Sequence, residues 1–268
     1  MNDPNGLIYW KGEYHMFYQY NPNAAYWGDM HWGHTFSTDL MHWKPLPTAL
    51  YPDKPYDKDG VFSGCAVVHN GVPTLVYTGT KPETQCVATT SNKLREFHKI
   101  DQNPVIAEPP GKVTGFRDPC LWQEGDDWMM ALGGGFPDVG GAVFLYSSKD
   151  LVSWKYLHPL CQGEKSKTGH NWECPNFFQL GDRHVLLISA EPYRKVLYFV
   201  GRYENRRFTP ESEGVLDAGG SLYAPQTFTD ELGRRTLIGW LTETRPEKEY
   251  VQAGWSGVQS LPRMFTFA

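Results

Sequence analysis

Residues 7–20 read LIYWKGEYHMFYQY, two apolar and aromatic runs on either side of Lys11-Gly12. This pattern predicts two antiparallel strands joined by a tight turn, because glycine supplies the positive φ that a two-residue hairpin requires. It returns in AVVHNGVPTLVYTGT (66–80), CLWQEGDDWMMALGGG (120–135), NFFQLGDRHVLLISA (176–190) and QTFTDELGRRTLIGWL (226–241). The turn glycines Gly12, Gly71, Gly125, Gly181 and Gly233 lie 59, 54, 56 and 52 residues apart. A second marker follows each of the first hairpins: STDLMHW (37–43), SNKLREF (91–97), SKDLVSW (148–154) and, more weakly, YENRRF (203–208). Its aromatic residues Trp43, Phe97, Trp154 and Phe208 are spaced by 54, 57 and 54. Two independent markers sharing one period indicate a repeated unit of about four strands, the mark of a β-propeller. Five copies predict an all-β, five-bladed β-propeller that runs as a single domain over residues 1–268, with an axial active-site pocket.

Composition agrees with that architecture and removes other classes. The 268 residues include 39 aromatics (10 Trp, 15 Tyr, 14 Phe), too many for a disordered chain. Twenty-five Lys+Arg against 30 Asp+Glu give a formal charge of -5, so no basic field exists for nucleic acid or an anionic membrane. No run approaches the roughly 18 apolar residues of a membrane span. The five cysteines at 65, 86, 120, 161 and 174 contain no Cys-x-x-Cys pair and read as buried free thiols, which favours a reducing, cytoplasmic compartment. Met1 is not followed by a basic and then apolar leader.

In a propeller the first strand of each unit lines the channel, so equivalent positions in different repeats converge. Those strands begin at Asn2-Asp3-Pro4-Asn5-Gly6, Phe62-Ser63-Gly64, Arg117-Asp118-Pro119, Trp172-Glu173-Cys174-Pro175 and Tyr223-Ala224-Pro225-Gln226. Three carboxylates, Asp3, Asp118 and Glu173, thus point at one axial pocket with Arg117 beside them. Each alone is an ordinary strand-end or turn residue. Together they raise one another's pKa, a cost that a sequence serving stability alone would avoid. One ionised and one protonated carboxyl group is the pair that glycosidic bond cleavage needs.

The surroundings suit a sugar. Asn2, Asn5, Gln19 and Ser63 supply amide and hydroxyl partners, Phe62 starts the second inner strand, and Trp27, Trp32 and Trp172 offer flat faces for ring C–H surfaces. Trp43 and Trp154 are expected between blades, and His31 and His34 against the pocket wall. The nine His show no metal-ligand spacing, and no phosphate-binding loop or nucleophile elbow occurs. No metal or cofactor is therefore expected.

At these residues the chain resembles glycoside hydrolase family 32, the β-fructofuranosidases, a family of invertases, fructan hydrolases and related transferases. The likeness covers essentially the whole chain. It rests on Asn2–Gly6, Gln19–Pro22, Trp32–His34, Phe62–Gly64, Arg117–Pro119, Glu173–Pro175, Tyr223–Gln226 and Leu261–Arg263, which occur in the family's order. The resemblance implies a retaining double displacement on terminal fructosyl units, with sucrose as the leading substrate and no cofactor. Fructan exo-hydrolysis and fructosyl transfer are alternatives within the family, and a carbohydrate-binding propeller without activity is one outside it. By carry-over Asp3 is the nucleophile and Glu173 the acid/base. Asp118 stabilises the transition state, and Arg117 tunes the neighbouring acid.

Two departures stand out. Many bacterial members read Asp-x-Gly-x-Asp-x-Tyr-Ala where this chain reads Asp217-Ala218-Gly219-Gly220-Ser221-Leu222-Tyr223-Ala224, so Ser221 replaces the second acid. Members of the family also usually carry residues before the first motif and a β-sandwich after the propeller. Met1 coincides with a Met common within that motif, so the chain is expected to be a fragment.

Overall fold

The turns form as the glycines predict. In the computed structural model, which describes residues 1–90 and 94–266, Trp10 pairs with Glu13 across Lys11-Gly12, at φ 49° and 89°. His69 pairs with Val72 across Asn70-Gly71, at φ 50° and 77°. Both central residues of each turn are left-handed, the backbone that matches the twist of the strands they join.

The first four hairpins each open a four-strand antiparallel unit. The first is β1 (Pro4–Trp10), β2 (Glu13–Tyr20), β3 (His31–Ser37) and β4 (Lys44–Leu50), and the second β5 (Val61–His69), β6 (Val72–Gly79), β7 (Thr84–Thr89) and β8 (His98–Lys99). The third is β9 (Phe116–Glu124), β10 (Asp127–Phe136), β11 (Gly140–Ser148) and β12 (Lys155–Gln162). A short helix, α1 (Lys165–Thr168), leads to the fourth: β13 (Asn171–Leu180), β14 (Arg183–Glu191), β15 (Lys195–Glu204) and β16 (Arg207–Val215). One pairing, Gly134 with Trp172, joins the third and fourth units into a single sheet.

The fifth unit departs from four strands. It holds β17 (Leu222–Thr229) and β18 (Arg235–Leu241); after α2 (Glu247–Ala253), β19 (Val258–Gln259) and β20 (Arg263–Met264) both pair with β18. Together they fill one strand position. The ladder breaks between them, where Pro262 has no N–H to donate and the Ser260 hydroxyl takes the Gly239 N–H at 3.0 Å.

The second repeat marker is one turn built twice. Asp39 Oδ1 accepts the N–H groups of Met41 and His42 at 2.9 and 2.8 Å, and Trp43 Nε1 donates to Leu40 O at 3.0 Å. Asp150, Val152, Ser153, Trp154 and Leu151 repeat every one of these bonds. Leu40 and Leu151 sit at φ 64° and 63°. In the third copy Leu94 keeps φ 57°, while Ser91, Asn92 and Lys93 lie outside the described residues.

Among the described residues the core forms wedges between neighbouring units rather than one centre. Phe17 and Trp32 pack on Leu75 and Tyr77 between the first and second units. Val76 and Val87 meet Phe116 and Met130 between the second and third. Trp172 and Leu186 meet Val143 and Leu145 between the third and fourth. Leu222 and Leu237 meet Phe178 and Leu187 between the fourth and fifth. The last wedge sets Phe228 and Ile238 of the fifth unit on Leu7 and Tyr14 of the first. The inner strands also touch in sequence, with β17 against β1, so the units close a ring. Met1 N to Ser256 O at 2.7 Å and Tyr9 OH to Glu231 at 3.2 Å reinforce the closure. Trp43 and Trp154 lie in wedges, as expected for aromatics between blades.

Trp172 is wholly buried, and its Nε1 donates to Thr168 O at 2.8 Å. Trp172→Ala leaves a cavity and an unpaired carbonyl, so it should cost about 3–5 kcal/mol and lower the melting temperature by roughly 10 °C. A thermal melt unchanged within 2–3 degrees (roughly 1 kcal/mol) would contradict this wedge packing.

Candidate active site

All five inner strands carry a register shift near their starts: within Asn5–Ile8, Phe62–Gly64, Arg117–Cys120, Glu173–Asn176 and Tyr223–Gln226. Proline explains three of the shifts. Pro119, Pro175 and Pro225 cannot donate to a ladder, so the chain bulges there and re-aims the residues before them. Asp118, Cys174 and Ala224, each directly before its proline, are left-handed at φ 63°, 47° and 44°. One sequence device, repeated around the ring, thus turns side chains into the mouth of the channel.

The result is a two-tier site. The lower tier holds Asp3, Asp118 and Cys174, each the residue before a proline. Cys174 lies between the two aspartates: its N–H donates to Asp118 Oδ2 at 2.9 Å, and its Sγ lies 3.5 Å from Asp118 Oδ2 and 3.7 Å from Asp3 Oδ2. The Ser63 hydroxyl donates to Asp3 Oδ2 at 2.7 Å. The upper tier holds Arg117, Glu173 and Tyr223, each one residue earlier. Arg117 donates to Glu173 Oε1 through Nε at 3.2 Å and Nη2 at 2.9 Å, and the Tyr223 hydroxyl donates to Glu173 Oε2 at 2.7 Å. Glu173 is therefore gripped on both oxygens.

Burial dominates the electrostatics. It raises the Asp3 carboxyl to about 6; the Ser63 hydrogen bond opposes the rise and the nearby Glu173 charge adds to it. Burial also raises Asp118, to about 7, with Arg117 opposing and Glu173 and Asp3 adding. Mutual repulsion, the cause expected from sequence, is real but secondary. Burial pushes the Cys174 thiol well above its ordinary range, so it stays a proton donor to the two aspartates. Arg117 remains charged, because Glu173 and Glu83 outweigh the cost of burying it.

Nine of the residues singled out for the site border one cavity of about 370 Å³: Asn2, Asp3, Gln19, Trp27, Phe62, Ser63, Arg117, Asp118 and Glu173. Trp27 is exposed at its rim, edge-on to Phe62 with ring centroids 5.9 Å apart. Other expectations fail. Trp32 and Trp172 have no exposed surface and belong to the wedges, so neither can present a face to a sugar. Asn5 is wholly buried and borders none of the cavity. His34 is stacked on Phe17 at 4.1 Å with its Nε2 3.0 Å from His15 Nδ1, and His31 sits edge-on to Tyr51. Burial lowers His34 to about 2 and His15 to about 4, so this pair is neutral packing inside the first unit.

Sequence reasoning missed Glu83, Glu191, Arg194, Tyr223 and Trp240, which complete the lining. Tyr223 was legible, since it occupies the repeat position of Arg117 and Glu173. Glu83 and Glu191 come from hairpins outside the inner strands. Arg117 binds both, with Nη1 2.7 Å from Glu83 and Nη2 3.3 Å from Glu191. Ser221 lies beside a neighbouring depression with Thr242 and Arg245. Among the described residues no cluster of three His, Cys, Asp or Glu is placed to hold a metal, and no helix is long and apolar enough to cross a membrane.

Comparison with known proteins agrees with this geometry. The model of the glycosyl hydrolases family 32 N-terminal domain matches residues 1–268. A sucrose-6-phosphate hydrolase of Zymomonas mobilis is 42% identical over 98% of this chain and 57% of its own length. Beta-fructofuranosidase 1 of Zea mays is 37% identical over 98% of this chain and 46% of its own. Among solved structures, a fructan 1-exohydrolase IIa from Cichorium intybus in complex with 1-kestose superposes with a TM-score of 0.92 at 34% identity, covering 100% of this chain and 56% of that one. A β-fructofuranosidase from Bombyx mori gives 0.90 at 35% identity, covering 100% and 61%. The chain thus spans about half the length of the curated relatives it matches. With the family model matched from end to end, the chain belongs to glycosyl hydrolases family 32.

Proposed function

We propose that residues 1–268 form one catalytic domain that hydrolyses terminal β-fructofuranosides, sucrose foremost, with retention of configuration. The observation that carries this reading is the division of the three acids into different environments around one cavity. Asp3 is half-buried, bonded to the Ser63 hydroxyl and able to ionise near pH 6. Glu173 is held by Arg117 and Tyr223 on the opposite tier.

In this scheme Asp3 attacks the anomeric carbon of the fructosyl unit as Glu173 passes a proton to the departing oxygen. Asp118 accepts hydrogen bonds from fructosyl hydroxyls while positive charge grows on the ring. The covalent fructosyl ester is then opened by water, whose proton returns to Glu173. Arg117 and Tyr223 keep Glu173 in place through both steps; they are positioning groups.

The test is product analysis with sucrose, inulin and levan. Equimolar glucose and fructose from sucrose supports the proposal. Kestose accumulation points to transfer, and preferential release of fructose from inulin or levan points to fructan exo-hydrolysis. Binding of fructose without turnover overturns it in favour of a carbohydrate-binding propeller.

A further inference from the structure

A second cavity, of about 310 Å³, lies further along the inner strands, and all five of them contribute to its wall. Cys65, Cys120, Asn176 and Gln226 form its inner end, each two residues beyond Ser63, Asp118, Cys174 and Ala224 of the catalytic mouth. Asn176 Nδ2 donates to Pro225 O at 2.8 Å and to Cys174 O at 3.1 Å, and Gln226 Nε2 donates to Gly64 O. These amide donors are thus spent on the strands around them. The two cavities share no lining residue. Val68 and Thr229, at the outer end, are exposed, so the second cavity opens to solvent.

Leu7, Val67, Leu121, Trp122, Phe177 and Phe228 make its wall largely apolar, and one charged side chain, Arg235 of β18, borders it. Arg235 is half-buried and makes no ion pair or side-chain hydrogen bond among the described residues. Glu124 shares a neighbouring groove with it but is already held by Trp122 Nε1 at 2.8 Å and by Arg206 at 3.5 Å. Burial therefore pulls the Arg235 guanidinium below its ordinary range, opposed only by the Cys120 thiol of the cavity wall. Arginine keeps its charge even so, and a half-buried charge without a counterion is costly. The guanidinium lies over the Phe178 ring at 4.7 Å. Stacking occupies its flat face and leaves the in-plane N–H edge for a ligand.

We propose that this second cavity binds a small organic acid, whose apolar body fills the wall and whose carboxylate pairs with Arg235. A cavity of this size, with apolar walls and a single charged group at one side, suits a small amphipathic molecule. Guanidinium and carboxylate match in plane and can pair through two N–H bonds. One guanidinium balances one negative charge, so a monoanion fits and a dianion would be left half-paired. A sugar is the wrong occupant, because the amide donors at the inner end are already used and the rest of the wall is largely apolar. The site is separate from the catalytic cavity, and the inference does not rest on the fructosidase reading.

The test titrates phenylacetate, and neutral phenylacetamide of the same shape, into protein labelled with nitrogen isotope at its tryptophans. Trp122 and Trp128 border the second cavity, and Trp27 and Trp240 border the catalytic one, so their indole N–H resonances report which is filled. Phenylacetate should shift the Trp122 and Trp128 signals and leave Trp27 and Trp240 in place. The amide should bind roughly tenfold more weakly, and the gap should narrow as salt rises. Arg235→Gln should close that gap, and Arg235→Lys should keep part of it. A thermal melt should rank the two probes in the same order. Equal binding of acid and amide would overturn the proposal, as would an Arg235→Gln protein that still prefers the acid. Shifts confined to Trp27 and Trp240, or no shift at about 20 mM, where even a millimolar site fills, would also overturn it. The wild-type comparison of acid with amide decides the matter even if Arg235→Gln does not fold. No turnover is measured, so this site stands or falls apart from the hydrolytic reading.

Discussion

Asp3→Asn should abolish sucrose turnover, by more than about 10⁴-fold in kcat, while leaving the protein folded. The magnitude exceeds the 10²–10⁴ typical of losing a general acid or base, because the step removed is bond formation itself. An amide cannot become the nucleophile, and the shape of the site is kept. Stability supplies the control. Asp3 carries a carboxyl raised to about 6 mainly by burial. The folded state therefore holds that proton more tightly than the unfolded state does. Asp3 thus lowers stability as pH rises from about 4 through about 6, and the loss persists above. Asparagine cannot ionise, so the variant should melt at or above the wild-type temperature at pH 7, with the gap closing near pH 4. Wild-type kcat/KM should fall on the acid side near pH 6 as Asp3 takes up its proton. An active Asp3→Asn enzyme would sink the mechanism, and an unfolded one would show that Asp3 is structural.

Glu173→Gln should reduce kcat on sucrose by about 10²–10⁴-fold. Glutamine keeps the volume and can still accept from Arg117, which lies 2.9 Å from Glu173 Oε1. What disappears is the proton for the departing oxygen. The loss should therefore depend on the leaving group: a fructoside with an acidic aryl leaving group should recover much of the first step. Azide should then accelerate breakdown of the covalent ester, since it needs no general base, and yield a fructosyl azide of retained configuration. The same loss on sucrose and on the aryl fructoside, with no azide effect, would exclude Glu173 as the acid/base. These two variants separate the roles of two carboxyl groups in one cavity, which neither charge nor spacing along the chain can do.

How far the sequence could be read depended on whether a residue's partner lay in its own repeat. The hairpins and the Asp39 and Asp150 turns were legible because every bond in them is local: a glycine or aspartate and the next few N–H groups. Convergence of Asp3, Asp118 and Glu173 was legible because the repeats put them at equivalent strand starts. Trp32 and Trp172 misled for the same reason, since a strand start is shared by side chains facing the mouth and side chains facing the wedge. Period alone does not say which face is which. The bulges do, and a bulge is a property of strand pairing.

By itself the sequence determined the repeat, the strand-turn-strand units and the set of acids brought to one end of the channel. These follow from periodic turn and apolar residues acting over short range. Only the tertiary structure decided which acid is gripped and which is free to ionise. Burial, the placing of Arg117 among Glu83, Glu173 and Glu191, and the stacking of Arg194 on Tyr223 and Trp240 are contacts between units. Electrostatic energies depend on distance and solvent exclusion across those gaps, and neither is set until the ring has closed.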